Sequence, residues 1–284
     1  MGILCILLAG IGFSFMTFFV RISGDLPTMQ KAFFRNAVAA VIALFPLLKS
    51  EEKIRIKKGC APDIFFRCLF GTSGMICNFY AIDRLDIADA NMLNKLSPFF
   101  AVLLSIPLLK EIPNRVDWIS VLLAFIGALF IIRPSTDITL IPGLLGLYGG
   151  FGAGVAYVFV RRLGKKGERT PVIVLCFSLF SCLVTAPFLI FDYHYMSPTQ
   201  LICLLMAGVS AALGQFSITT AYKFAPAKEL SVFDYVQVIF AAMWGMIFLG
   251  EVPVPLSVIG YVIIIGTAVF RWWWTNHRPG AAQA

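Results

Sequence analysis

GTSGMICNFYAIDRLDIADANMLNKLSPFFAVLLSIPLLKE, residues 71–111, is the stretch whose reading decides the fold. It reads as two apolar helices joined by a short acidic turn. The second helix carries Asn91, Asn94, Lys95, Ser97 and Pro98 inside a run otherwise built from Leu, Phe, Ala and Val. A charged side chain at the centre of a membrane helix costs roughly 2.5–3.5 kcal/mol on insertion scales, so such residues face a bundle interior or a wet cavity.

The same pattern returns 140 positions later, ungapped, as ALGQFSITTAYKFAPAKELSVFDYVQVIFAAMWGMIFLGE over residues 212–251. Gly74 falls on Gly214, Ala81 on Ala221, Phe100 on Phe240, Leu109 on Leu249 and Glu111 on Glu251. The offset also carries Phe19, Val20 and Arg21 onto Phe159, Val160 and Arg161, and Gly10 and Gly12 onto Gly150 and Gly152. One register that fits several separated segments predicts an internal duplication.

Composition narrows the class. Apolar residues make up 59% of the 284 and charged residues only 13%, against about a quarter charged in soluble domains, so the chain is read as a multi-pass membrane protein. The +8 charge lies in short clusters between apolar runs, as cytoplasmic loops would have it, and no nucleic-acid partner is expected. The seven cysteines show no C-x-x-C spacing, and the histidines, His194 and His277, stand far apart. No metal or other cofactor is expected. Gly2 to Val20 lacks a basic leader and a small-residue cleavage site, so it is read as a retained helix.

A bilayer core of about 30 Å needs roughly 20 residues of helix. Runs of that size fall near 2–21, 28–48, 63–83, 88–109, 115–132, 142–162, 171–191, 199–222, 230–249 and 255–274. The expected architecture is all-α, with ten transmembrane helices in two five-helix repeats, residues 1–136 and 137–275, before a disordered cytoplasmic tail, 276–284. Five spans per repeat insert the second half upside down, the inverted-repeat plan of secondary transporters. Lys and Arg, with Arg67 among them, concentrate on the segments that lie inside if Met1 is cytoplasmic, which places both termini there. Lys31 and Arg35 fall in an outer half-span and are expected to snorkel to lipid headgroups, the alternative being that they draw anions to an entrance.

On the fourth span Asn91, Asn94, Lys95 and Pro98 are spaced by three and four and share a face. Their counterparts on the ninth include Asp234 and Tyr235, with Gln237 matching Ser97. Inversion places Lys95 and Asp234 on opposite sides of the midplane, about 10 Å apart along the normal at 1.5 Å per residue. They would be the basic and acidic poles of a central cavity for a zwitterionic or amphipathic metabolite. Asn78, Tyr80, Gln215 and Tyr222 should point inward too, since an amide or phenol facing lipid has no hydrogen-bond partner. Gly146, Gly150 and Gly154 recur every fourth residue and offer a face for close helix packing. Glu111 and Glu251 each end a helix where the macrodipole disfavours a carboxylate; a fixed basic partner is expected, Arg115 for Glu111, and a latching role.

At these residues the chain resembles the EamA family of the drug/metabolite transporter superfamily, over nearly its whole length. The resemblance rests on the paired five-span halves, on the fourth and ninth spans ending LLKE at 108–111 and FLGE at 248–251, and on QFSITTAYKFAPA at 215–227. It departs from the family's small residue before the glutamate at Lys110. It implies a cavity lined by the first, third, fourth, sixth, eighth and ninth spans. It also implies movement of amino acids, nucleoside derivatives such as S-adenosylmethionine, or vitamins across the cytoplasmic membrane of a bacterium. Export or exchange by alternating access is the expectation, with proton or counter-substrate coupling open, by a monomer or homodimer. A facilitated-diffusion channel and a cationic drug efflux carrier are the alternatives. H-E-x-x-H and G-x-S-x-G are absent, so no catalytic residues are expected.

Overall fold

A computed structural model of the chain describes residues 2–50, 55–109, 115–132, 137–224, 230 and 233–277. Among them there is helix and no strand. The helices are α1 (Gly2–Ile22), α2 (Thr28–Leu48), α3 (Ala61–Arg84), α4 (Ile87–Asn94), α5 (Ser97–Leu109), α6 (Arg115–Ile132), α7 (Asp137–Lys165), α8 (Thr170–Phe191), α9 (Pro198–Phe224), α10 (Val236–Trp244) and α11 (Pro255–His277). Prolines open several of them, Pro62 and Pro171 in the first turns of α3 and α8, where a missing N–H leaves no bond unmade. Large apolar residues face outward along the bundle: Val41, Leu183 and Val262 are 71%, 74% and 67% exposed. A soluble surface carries no such continuous apolar face, whereas lipid favours one.

Among the described residues, seven helices are long and apolar enough to cross a membrane, namely α1, α2, α6, α7, α8, α9 and α11. Three of the ten expected spans are different, and all three contribute to the central cavity. The third, α3, is long enough at 24 residues but carries Asp63, Arg67, Asp83 and Arg84. The fourth is two helices where one was expected. Pro98, in the first turn of α5, has no N–H for the carbonyl of Asn94, and Lys95 and Leu96 form the turn between α4 and α5. The ninth is interrupted at Tyr235, where a turn precedes α10. Beyond α10 a π-helical turn, Gly245–Leu249, closes at Gly250, whose φ of 65° suits glycine. At the carboxyl end α11 continues to His277, so Asn276 and His277 are helical where a tail was expected. Residues 278–284 lie outside the described ones.

Close helix crossings hold the bundle at its centre. The glycine stripe of α7 lies against the broken fourth span: a Cβ on Gly150 would stand 2.5 Å from the carbonyl oxygen of Leu93, and one on Gly154 2.7 Å from that of Ser97. α1 and α9 meet at Gly12 and Gly214, and α3 and α7 at Gly74 and Gly152, backbone against backbone.

Candidate functional site

The cavity lies where these crossings converge. About 70 Å³ of it is open to the centre of a water molecule. α3 supplies one wall through Arg67, Gly71, Gly74 and Asn78, spaced four, three and four and so on one face. Packed beside them, α7 contributes Gly149, Ala153 and Tyr157, and the turn of the fourth span contributes Asn94 and Lys95. Gln215 of α9, Gln237 of α10, Arg35 of α2 and Phe177 of α8 complete the polar and aromatic lining, with Phe13 and Met16 of α1 beside them. All six spans implied by the resemblance take part. Arg35 and Phe177 add the second and seventh.

Lys95 and Asp234 are not separate poles. The Lys95 ammonium donates to Asp234 Oδ1 at 2.6 Å, and the two side chains are only 2% and 1% exposed. A separation counted in helical rise ignores the length of a lysine side chain and assumes unbroken helices; here both helices are interrupted at this level, and the side chains span the gap. Tyr235 donates its hydroxyl to the Lys95 carbonyl at 3.2 Å, which occupies a backbone group freed by the turn. Tyr235 and Asp234 therefore fix Lys95 from behind and do not line the cavity.

Other expected residues divide in the same way. Asn78, Asn94, Gln215 and Gln237 reach the cavity. Asn91, fully buried, donates to the carbonyl of Ile87 at 2.6 Å and accepts from Gln237 Nε2, so it orients the amide that does line it. Tyr222 stacks behind Tyr157 at 4.6 Å between ring centroids. Tyr80 is half-buried with the Arg84 guanidinium 3.7 Å from its ring centroid, away from the cavity. Gly150 and Gly154 pack against the fourth span, as their spacing predicted.

The snorkelling expected of Lys31 and Arg35 does not occur. Lys31, 1% exposed, pairs with Asp83 at 2.6 Å, and Arg35, 1% exposed, lines the cavity. Each is turned inward toward a polar site, so neither needs water or headgroups. Arg67 was grouped with the cytoplasmic cations, yet it is 2% exposed and donates Nη2 to Gln215 Oε1 at 3.0 Å. The signal that finds it is the stripe it shares with Gly71, Gly74 and Asn78.

Ion pairs tie both ends of the bundle. At one end Arg21 pairs with Glu251 at 2.8 Å and donates to the Ile82 carbonyl at 2.7 Å, while the Ile87 N–H donates to Glu251 at 2.9 Å. Glu251 has the basic partner expected of it, on α1. At the other end Asp63 accepts Lys166 at 2.7 Å and Arg162 at 3.3 Å; buried Glu168 accepts the Lys57 N–H, and Lys223 donates to the Glu168 carbonyl. Glu111 lies outside the described residues.

With this geometry in hand, comparison with known sequences is decisive. The sequence profile of the EamA-like transporter family matches residues 1–133 and matches again over 140–272. The chain belongs to that family. Among its relatives, the pseudopaline exporter CntI of Pseudomonas aeruginosa is 34% identical over 271 residues, 93% of each chain. The riboflavin transporter of Vibrio cholerae is 27% identical over 290 residues, 98% of this chain and 94% of that one. A crystal structure at 16% identity superposes with a TM-score of 0.68 over 94% of this chain and 98% of the other, which supports the fold alone. The EamA-like chain is accordingly a transporter with several membrane-spanning helices, of the drug/metabolite transporter superfamily.

Proposed function

We propose that this EamA-like protein is a secondary carrier that exports or exchanges a small organic metabolite through its central cavity by alternating access. The observation that carries the reading is the cavity itself, with polar side chains drawn from two interrupted helices and the buried Lys95–Asp234 pair at the interruption. Interrupted helices at membrane depth are tolerated where they line a cavity, and carriers bind cargo there. Kinship with the pseudopaline exporter supports outward transport of a metabolite.

Two halves, 1–136 and 137–275, related by inversion, complete the proposal. Its support is an exchange of contacts under the 140-residue offset: Gly12 on Gly214 has as its counterpart Gly152 on Gly74, and the counterparts Lys95 and Tyr235 touch each other. The termini are assigned to the cytoplasm and the protein to the cytoplasmic membrane of a bacterium. The end carrying Arg21 and Glu251 then faces outward, and the end carrying Asp63 and Glu168 inward. A reporter fused after Ala284 should be active only in its cytoplasmic form; an active periplasmic form reverses the orientation.

The decisive experiment compares metabolites in the cells and medium of strains expressing the protein or its Lys95→Met/Asp234→Leu variant, which removes both charges together. At least one small metabolite should move from cells to medium with the wild type and stay inside with the variant. If none moves, the carrier reading fails. For a metabolite that does move, acceleration by unlabelled cargo on the opposite side separates a carrier from a channel, and counter-substrate or proton dependence then follows from the same assay.

A further inference from the structure

Arg35 and Arg67 come from different helices and line the same cavity, 1% and 2% exposed. Among the described residues each guanidinium has a single neutral partner, Asn36 Oδ1 at 2.6 Å for Arg35 and Gln215 Oε1 at 3.0 Å for Arg67. The Nε of each is buried without a partner, and among the described residues no carboxylate pairs with either. Both lie over the Phe177 ring, with guanidinium carbons 5.7 and 4.1 Å from its centroid. An aromatic face attracts a guanidinium but offsets only part of what it loses on leaving water. Lys95 and Asp234 cancel. Among the described residues, the cavity is thus left with two uncompensated positive charges.

The backbone leaves space for this arrangement. A side chain at Gly71 would collide with Arg67 Nη1 and stand 3.0 Å from the Phe177 ring, so glycine at 71 leaves the room in which the Arg67 guanidinium lies. Two neutral acceptors, Asn78 Oδ1 and Gln237 Oε1, also line the cavity without partners.

We infer that Arg35 and Arg67 form an oxyanion subsite, and that the cargo carries a carboxylate or phosphate bound at these two guanidiniums beside Phe177. Arginine's fixed fork matches either group in bidentate fashion, and an anion in the cavity supplies the charge the protein withholds. The unpartnered amide oxygens of Asn78 and Gln237 accept N–H groups of the same molecule. The inference rests on the cavity being the cargo site and narrows the cargo to organic acids; cationic drugs are excluded as principal cargo.

The test uses the full-length protein in detergent and follows thermal unfolding with succinate, glutamate, glycerol 3-phosphate or putrescine at up to 10 mM. At least one of the three acids should raise the wild-type Tm, by on the order of 5 °C at a hundredfold excess over Kd. Succinate against glycerol 3-phosphate tells carboxylate from phosphate. Putrescine should have no effect. The shift should vanish in Arg35→Gln and Arg67→Gln, and shrink in Arg67→Lys, which keeps the charge but loses the fork. It should also shrink in Gly71→Ala, which keeps both charges and displaces one.

A purely structural role for the arginines predicts lower Tm in the ligand-free glutamine variants; the subsite predicts no loss, because each removes an unpaired buried charge. Failure of all three acids, a shift with putrescine, or an undiminished acid shift in the arginine variants overturns the inference. If the glutamine variants do not fold, Arg67→Lys and Gly71→Ala decide it by the same criterion. A transported metabolite without an acidic group would sink the subsite and leave the carrier standing. Acid binding without any transport would do the reverse.

Discussion

Two pairs of charged side chains meet in the middle of this bundle, and they are balanced in opposite ways. Lys95 and Asp234 are oppositely charged, 2.6 Å apart and enclosed. Arg35 and Arg67 carry the same charge, share one aromatic ring, and answer only to neutral amides. A buried ion pair contributes little net stability because desolvation offsets most of the attraction, but removal of one member is severe. A pair of like charges gains nothing from its partner, so removal of one relieves strain. The first arrangement holds two broken helices in register, whereas the second holds an electrostatic deficit inside a finished fold.

The contrast breaks first at Asp234→Ala, which strands the Lys95 ammonium and should cost about 3–5 kcal/mol in a denaturant or thermal titration. Lys95→Met/Asp234→Leu should recover most of that loss, and if it is as unstable as the single variant, the pair is not the cause. Next in size, Gly150→Ala would press a methyl group onto the Leu93 carbonyl beneath the turn that presents Lys95. Overpacking of that kind costs about 1–3 kcal/mol, and an unchanged Tm would mean that the turn is free to shift. Glu251→Gln, at the end of the bundle where Arg21 and Glu251 are 26% and 11% exposed, should cost about 1 kcal/mol, because glutamine still accepts the Ile87 N–H and only one charged hydrogen bond is lost. Smallest of all, Arg35→Met should leave ligand-free stability within about 1 kcal/mol of wild type or raise it; a loss as large as that of Asp234→Ala would erase the distinction between the two pairs.

Most of the fold was legible because lipid imposes a simple rule of length and hydropathy on each span. The runs predicted at 28–48 and 115–132 end on the same residues as α2 and α6. Legibility failed where spans carry chemistry. Pro98 was read only as part of the polar face of the fourth span; helical spacing alone treats 88–109 as continuous and passes over the N–H that proline lacks, and the 10 Å separation of Lys95 from Asp234 followed from that. The polar residues of the site were half legible. Asn78, Gln215 and Gln237 stood out as amides among apolar neighbours, but the rule that points amides inward cannot tell a cavity wall from the layer behind it, where Tyr222 and Asn91 lie.

Arg35 and Arg67 were misread for a single reason. Each sits within about two turns of its helix's amino-terminal end, since α2 opens at Thr28 and α3 at Ala61, and at 1.5 Å per residue a long side chain there reaches either water or the interior. Only packing decides between them. For Arg67 the glycines at 71 and 74 were the written clue.

The Lys95–Asp234 pair joins residues 139 positions apart in the chain. A ribosome adding about 5–20 residues per second delivers the lysine about 7–28 s before the aspartate that neutralises it. Through that interval the ammonium of the fourth span stands without its carboxylate. The broken helix at the centre of the finished transporter is thereby neutralised only late in the chain's synthesis.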